Sequence, residues 1–328
     1  THDLTIAKTI SGATAGYVGT GAPFAVDALC SVGGSAPLAY SATLAPGAAP
    51  ELLLDDVPTG WTCTLAETPP AQSLLRNASY RWGTPTWTGV DANRQVTVAA
   101  DGAIVVNNPI TRVTGALQVA KAFAPGTPDG VVLAGATFTG TYSCSYNSGA
   151  PDAQTWTGTW SYTGNTGGNA VLTPGLGALP VGSSCQITEN TPNEAGLFDQ
   201  SWSWADPVID SAVTIAEGGP QTLRATNSPE RVYSAMSVTK RLTGETGGLA
   251  TGSQVQVAWS CTFANQTVNS GVVNVSASGG TVQLFAADGS ISNDRGSILI
   301  PAGAACTATE STPGQDLLVD TSYAWRNP

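Results

Sequence analysis

"PVGSSCQITENTP", from Pro180 to Pro192, has two counterparts in the chain, "PTGWTCTLAETPP" from Pro58 and "PAGAACTATESTP" from Pro301. All three fit P-x-G-x-x-C-x-x-x-E, so a cysteine precedes a glutamate by four residues three times in 328 residues. Upstream, "GAPFAVDALC", "GATFTGTYSC" and "GSQVQVAWSC" place a glycine nine residues before Cys30, Cys144 and Cys261. Further upstream, "LTIAKTISG", "LQVAKAFAPG" and "MSVTKRLTG" carry Lys8, Lys121 and Lys240, each 21 to 23 residues before its first cysteine. Lysine is rare here, and each of the three sits in an apolar, β-rich run whose neighbours favour burial. Downstream, "SYRW", "SWSW" and "SYAW" set Trp82, Trp204 and Trp325 fifteen residues after Glu67, Glu189 and Glu310. Tyr80, Trp202 and Tyr323 lie two residues earlier, so each aromatic pair faces one side of a strand.

The first two repeats close with "AIVVNNP" and "LRATNSP". These contain Asn107 and Asn227, each two residues before a proline. Asn108 competes with Asn107, which is preferred because it matches Asn227 in the N-x-P frame. The lysine-to-lysine period is 113 residues (8 to 121) and then 119 (121 to 240), a normal size for a β-sandwich. The predicted fold is therefore all-β, with tandem Ig-like or transthyretin-like sandwiches arranged as a rod. The expected domains are 1–109, 110–229 and 230–328, with limits at Pro109 and Pro229 because proline ends a strand. The third repeat is expected to lack its last strand, since Pro328 follows Trp325 by three residues where the others continue 23 to 25 residues to the asparagine. Asn327 falls outside the aligned position.

Composition narrows the function. Only 11% of residues are charged, with 38 glycines and 21 prolines, which favours short strands joined by turns. A net charge of −11 with twelve scattered basic residues excludes nucleic acid, whose phosphates need clustered Lys and Arg. No apolar run is long enough to span a membrane. The chain starts at Thr1 without a signal peptide, which reads as a mature or trimmed form. Six cysteines suit an oxidising exterior, and without a C-x-x-C pair they give no zinc site. One pair per repeat predicts the disulfides Cys30–Cys63, Cys144–Cys185 and Cys261–Cys306. His2 is the only histidine, which leaves no Ser-His-Asp triad and no histidine metal site. The "DGSISNDRG" run (Asp288–Gly296) breaks the EF-hand spacing, so no metal or cofactor is assigned.

Burial lowers the pKa of a lysine and raises that of a glutamate. Beside an asparagine carboxamide, such a pair has the ingredients of amide exchange, with a neutral amine as nucleophile and a carboxylic acid to shuttle protons. The competing reading is a snorkelling surface lysine and a strand-end glutamate.

A lysine in the first strand, a glutamate followed by "TP" and an asparagine in the last strand together resemble the B-type domain of the Gram-positive collagen adhesin Cna, in the cysteine-containing form of actinobacterial surface proteins. That family's glutamate segment often reads E-x-x-A-P-x-G-Y, and here the Gly-Tyr is absent. The resemblance implies a stalk unit of an extracellular or cell-wall-attached, pilin-like adhesin that is not an enzyme beyond one self-directed turnover. It implies Lys8–Asn107 and Lys121–Asn227 isopeptide bonds, with Glu67, Glu189 and Glu310 as the catalytic acids and Lys240 lacking an asparagine. The partners it leaves are a host or neighbouring-cell surface molecule, and a strand from another molecule added to the open edge of repeat 3. The alternative is a glycan-binding module. "TWTGTWSYTG" (Thr155–Gly164) lacks a clear counterpart in the other repeats, and Trp156 and Trp160 are its candidate stacking platforms.

Overall fold

The computed structural model describes residues 1–284 and 297–326, almost entirely strands and turns. Asp288–Gly296 and Asn327 lie outside the described residues. The first domain contains β1 (His2–Gly12), β2 (Phe24–Ser31), β3 (Leu38–Leu44), β4 (Glu51–Val57), β5 (Thr62–Glu67), β6 (Tyr80–Trp82), β7 (Thr86–Thr88), β8 (Gln95–Thr97) and β9 (Gly102–Arg112). One sheet runs β4-β1-β9-β6, with β7 also on β9, and the other runs β3-β2-β5-β8. The sheets face each other across Leu4, Ile6, Phe24, Val26, Leu54, Leu65, Ile104 and Val106, all buried. Strict alternation in β1 turns Leu4, Ile6 and Lys8 to one face, and in β9 it turns Ile104, Val106, Asn108 and Ile110 inward.

β1 and β9 are parallel neighbours, with Lys8 opposite Val106 and Ile10 opposite Asn108. The second domain repeats this, because Leu117–Phe123 pairs in parallel with Gln221–Asn227, setting Lys121 opposite Ala225 and Phe123 opposite Asn227. In the third domain the lysine strand Ser237–Lys240 pairs with Gly280–Gln283, and no parallel neighbour is on its other edge among the described residues.

Each disulfide joins directly opposed residues of adjacent strands: Cys30 and Cys63, Cys144 and Cys185, and Cys261 and Cys306. They close loops of 33, 41 and 45 residues.

Pro109 does not end a strand. β9 continues through it to Arg112, with Pro109 opposite Ser11 and accepting a hydrogen bond from Gly83 N at 2.7 Å. Pro229 likewise opens the short strand Pro229–Arg231. A proline fits here because no ladder bond draws on its missing N–H.

Trp160, expected on a sugar-binding surface, is a core residue at 1% exposure. It lies opposite Gly140 on the neighbouring strand, where a Cβ would meet Trp160 Nε1 at 2.5 Å, so the glycine makes room for the indole. Its Nε1 donates to the Thr188 carbonyl at 2.9 Å. Trp156 is half-buried and packs on the same core. Neither supplies an open stacking face, and the alternation of Gln154–Thr163 is the reason. Trp160→Ala should therefore cost about 3–5 kcal/mol in chemical denaturation, and a change below about 1 kcal/mol would contradict the packing described.

Candidate functional site

Lys8 projects from β1 into the core, and Glu67, at the end of β5, meets it from the facing sheet. Lys8 Nζ lies 2.9 Å from Glu67 Oε1, with the two side chains 0% and 2% exposed. Asn108 enters from β9, one step diagonal to Lys8 on the same face, where long side chains reach each other. Apart from the ion pair, no hydrogen bond reaches Lys8 Nζ, either Glu67 oxygen or either polar atom of Asn108. Phe24 walls the amine with its ring centroid 4.7 Å from Nζ, and Trp82 packs edge-on against Phe24 at 6.0 Å.

Asn107 is elsewhere. It faces away from the core, and its amide donates to Ser11 Oγ at 3.0 Å and Thr86 Oγ1 at 3.2 Å. The N-x-P frame that favoured it is out of step. Pairing with the aromatic strand aligns Ile110, opposite Trp82, with Pro229, opposite Trp204, and so aligns Asn108 with Asn227.

The second cluster repeats the first, with a longer ion pair and more hydrogen bonds to the amine. Lys121 Nζ lies 3.6 Å from Glu189 Oε1, and both side chains are fully buried. The amine donates to the carbonyls of Ala122 and Ala225, each at 3.0 Å, and to Asn227 Oδ1. Asn227 Nδ2 and both Glu189 oxygens have no hydrogen bond. Phe123, Phe138 and Trp204 form the walls, with the ring centroids of Phe123 and Phe138 5.0 and 4.6 Å from Nζ.

Burial sets the electrostatics. It lowers the Lys8 pKa against the opposing pull of Glu67. It lowers Lys121 to about 8, with Glu189 opposing. Burial also raises Glu189 above the ordinary carboxyl range, with Lys121 opposing. A lysine at about 8 is roughly one-tenth neutral at pH 7, against less than about 0.1% for an ordinary lysine. Each cluster thus holds an amine, a carboxyl group and a carboxamide in dry surroundings. Left uncombined, buried polar atoms without partners cost about 1–3 kcal/mol each.

A pH dependence follows for a variant that keeps the pair but loses the carboxamide. In Asn227→Ala, Lys121 would titrate near 8 when folded and near 10.4 when unfolded, so the unfolded state binds more protons between those values. Stability should then rise with pH across that window relative to an Asn227→Ala, Lys121→Met control. Denaturant titrations at pH 7.5 and 10 read the difference, and a flat or falling one contradicts the lowered lysine.

The third lysine and glutamate also meet, with Lys240 Nζ 3.0 Å from Glu310 Oε2, but the side chains are 16% and 23% exposed. No asparagine joins them among the described residues. Val255 stands where Phe24 and Phe138 stand in the other domains, six residues before the first cysteine, so the phenylalanine of the wall is replaced as well. That phenylalanine was readable in "GAPFAVDALC" and "GATFTGTYSC" from its constant distance to the cysteine.

The chain belongs to the family described as a domain of unknown function, DUF5979, whose model matches three consecutive segments, residues 4–115, 117–230 and 236–328. No curated protein matches it. Among solved structures it is similar to GBS52, the minor pilin of Streptococcus agalactiae, at 14% identity over 75% of this chain and 100% of that one, with a TM-score of 0.20. The major pilin of Streptococcus pyogenes is similar at 11% identity over 70% and 99% of the two chains, TM-score 0.26. A C-terminal fragment of the pilus adhesin SpaC of Lactobacillus rhamnosus GG is similar at 12% identity over 71% and 99%, TM-score 0.27.

Proposed function

We propose that this chain is a stalk segment of an extracellular surface protein, in which each of the first two domains is closed by a self-formed Lys–Asn isopeptide bond. The bonds are Lys8–Asn108 and Lys121–Asn227. The observation that carries this reading is the recurrence of one buried Lys–Glu–Asn cluster in the same parallel register, with polar atoms that nothing else satisfies.

Burial favours moving the proton from the lysine to the glutamate, which leaves two neutral groups in place of an ion pair. The free amine then attacks Cγ of the asparagine, while the carboxylic acid of the cluster gives its proton to the carboxamide oxygen. The resulting carboxylate takes the excess proton from the attacking nitrogen and passes it to the departing –NH2, and the acid regains its own proton from the oxygen as the carbonyl re-forms. The new Nζ–Cγ amide forms, the Cγ–Nδ2 bond breaks, and one ammonia leaves per bond. The reaction happens once per site, so it modifies the chain and turns over no external substrate.

Each bond ties the first strand to the last, so tension between the strands is borne by covalent links. The disulfides add a second cross-link within each domain and fit an oxidising exterior. No helix among the described residues is long and apolar enough to cross a membrane. At the third site, a parallel strand beside Lys240 with an asparagine two residues beyond its register partner would complete the cluster, whichever molecule supplies it. The stalk reading leaves room for a host or neighbouring-cell surface partner. Peptide mapping tests the chemistry: a branched peptide joining Lys121 to Asn227 supports it, and recovery of both as separate linear peptides contradicts it.

A further inference from the structure

The two joints between consecutive domains share one backbone device. At the first, Val113 N donates to the Ser79 carbonyl of the preceding domain at 2.8 Å, and its own carbonyl accepts from Val181 N of the next at 3.0 Å. At the second, Val232 does the same with Ser201 at 2.7 Å and Ala302 at 2.9 Å. An arginine follows the same pattern. Arg112 stacks between Tyr80 and Tyr146, with centroids at 4.3 and 4.5 Å, and Arg231 stacks over Trp202 and Phe263 at 4.6 and 5.5 Å. Tyr146 and Phe263 both lie two residues after the first cysteine of their own domain. In both joints a hairpin tip of one domain thus meets an aromatic–arginine pair of the domain before it.

The joints differ in what surrounds the arginine. In the first, the hairpin from Tyr146 to Gln154 is long enough to carry Asp152, whose side chain is only 5% exposed. Asp152 accepts from Tyr80 Oη at 2.7 Å and Asn147 Nδ2 at 2.5 Å, and it lies 3.5 Å from Arg112 and 3.8 Å from Arg76. Tyr146 Oη also donates to Asn77 Oδ1 at 3.0 Å, and an exposed Arg81–Glu217 pair bridges the same domains with two bonds of 3.0 and 2.8 Å. In the second joint the hairpin turns directly from Phe263 to Gln266 and has no residue in the place of Asp152. Trp202 and Phe263 lack the hydroxyls of Tyr80 and Tyr146. Arg231 donates to Ser201 Oγ, and among the described residues it has no ion pair.

We propose that Asp152 locks the first joint and that the second is a pivot, so that bending of the chain is concentrated between the second and third domains. Charge-assisted contacts to one nearly buried carboxylate fix orientation, and Tyr80, Arg112 and Arg76 all approach Asp152 from the opposite domain. A stacked guanidinium tolerates sliding over a ring face, so stacking holds two domains together without fixing their angle. Inter-domain interfaces move by default unless something specific holds them.

The test uses the full chain, with fluorophore pairs attached through unnatural amino acids so that the disulfides stay intact. One pair spans the first and second domains, and another spans the second and third. A narrow distance distribution across the first joint and a broad one across the second is expected. Asp152→Ala should remove the narrow distribution at the first joint and leave the second unchanged. Tyr80→Phe keeps the ring and loses one bond to Asp152, so it should give a partial broadening. Equal widths at the two joints of the unmodified chain, or a first joint unaltered by Asp152→Ala, would overturn the proposal. Because the variants touch neither cluster, the mass of each reports isopeptide formation separately.

Discussion

Glu189→Ala is expected to yield a folded second domain that keeps its full complement of ammonia. Glu189, the proton carrier of the proposed reaction, faces Lys121 from the opposite sheet, 3.6 Å away, and no other carboxylate lies within 4.0 Å of that amine among the described residues. Without it, the buried amine and the carboxamide remain as separate groups. The bond would close a loop of 106 residues between Lys121 and Asn227. On the loop-entropy account, a cross-link of that span is worth about 4–5 kcal/mol, and less where another link already constrains the unfolded chain. For a domain of this size, that corresponds to a fall in Tm of roughly 15–30 °C. Intact mass and calorimetry read the two effects together. A variant that still loses the ammonia removes Glu189 from the chemistry, whatever its Tm.

The second large effect separates two adjacent asparagines. Asn108→Ala should abolish the cross-link of the first domain and destabilise it on the same scale of about 4 kcal/mol. Asn107→Ala should leave the cross-link in place, because its amide faces Ser11 and Thr86 on the outer side of β9. Losing those partly exposed bonds costs about 1 kcal/mol or less. The reverse result, with Asn107→Ala blocking the bond, would mean that β9 is out of register by one residue, which would turn Ile104 and Val106 outward as well.

These two asparagines also mark where the sequence was legible. Lys8, Lys121, Glu67 and Glu189 could be located because each sits at a near-constant distance from a cysteine or tryptophan, and those anchors hold across the repeats. The asparagine could not be located that way, because the proline used as its anchor is not equivalent in the two domains. Alternation was the better guide. Ile104, Val106 and Ile110 are apolar at even positions, and Asn108 shares that face. Trp160 was misread for a related reason. A tryptophan in a run of Thr and Gly looks exposed until Gly140, on the next strand, is seen to leave space for the indole. Pairings between strands distant in sequence decide such cases, and a single strand's composition does not contain them. The disulfides were readable because one pair per repeat left a local solution, and each pair sits directly opposed on adjacent strands.

The third domain tests the physical account from the other side. Lys240 and Glu310 approach to 3.0 Å, yet they retain partial exposure, have no phenylalanine wall and no asparagine among the described residues. Water can reach that pair, so its surroundings are less dry than those of the two buried clusters. A chain with two intact clusters and one incomplete cluster should therefore react twice.

The most direct measurement is the intact mass of the purified chain after complete reduction of its three disulfides. The predicted result is the sequence mass less two ammonias, one for each of the Lys8–Asn108 and Lys121–Asn227 bonds. A mass equal to that of the unmodified sequence would contradict the account.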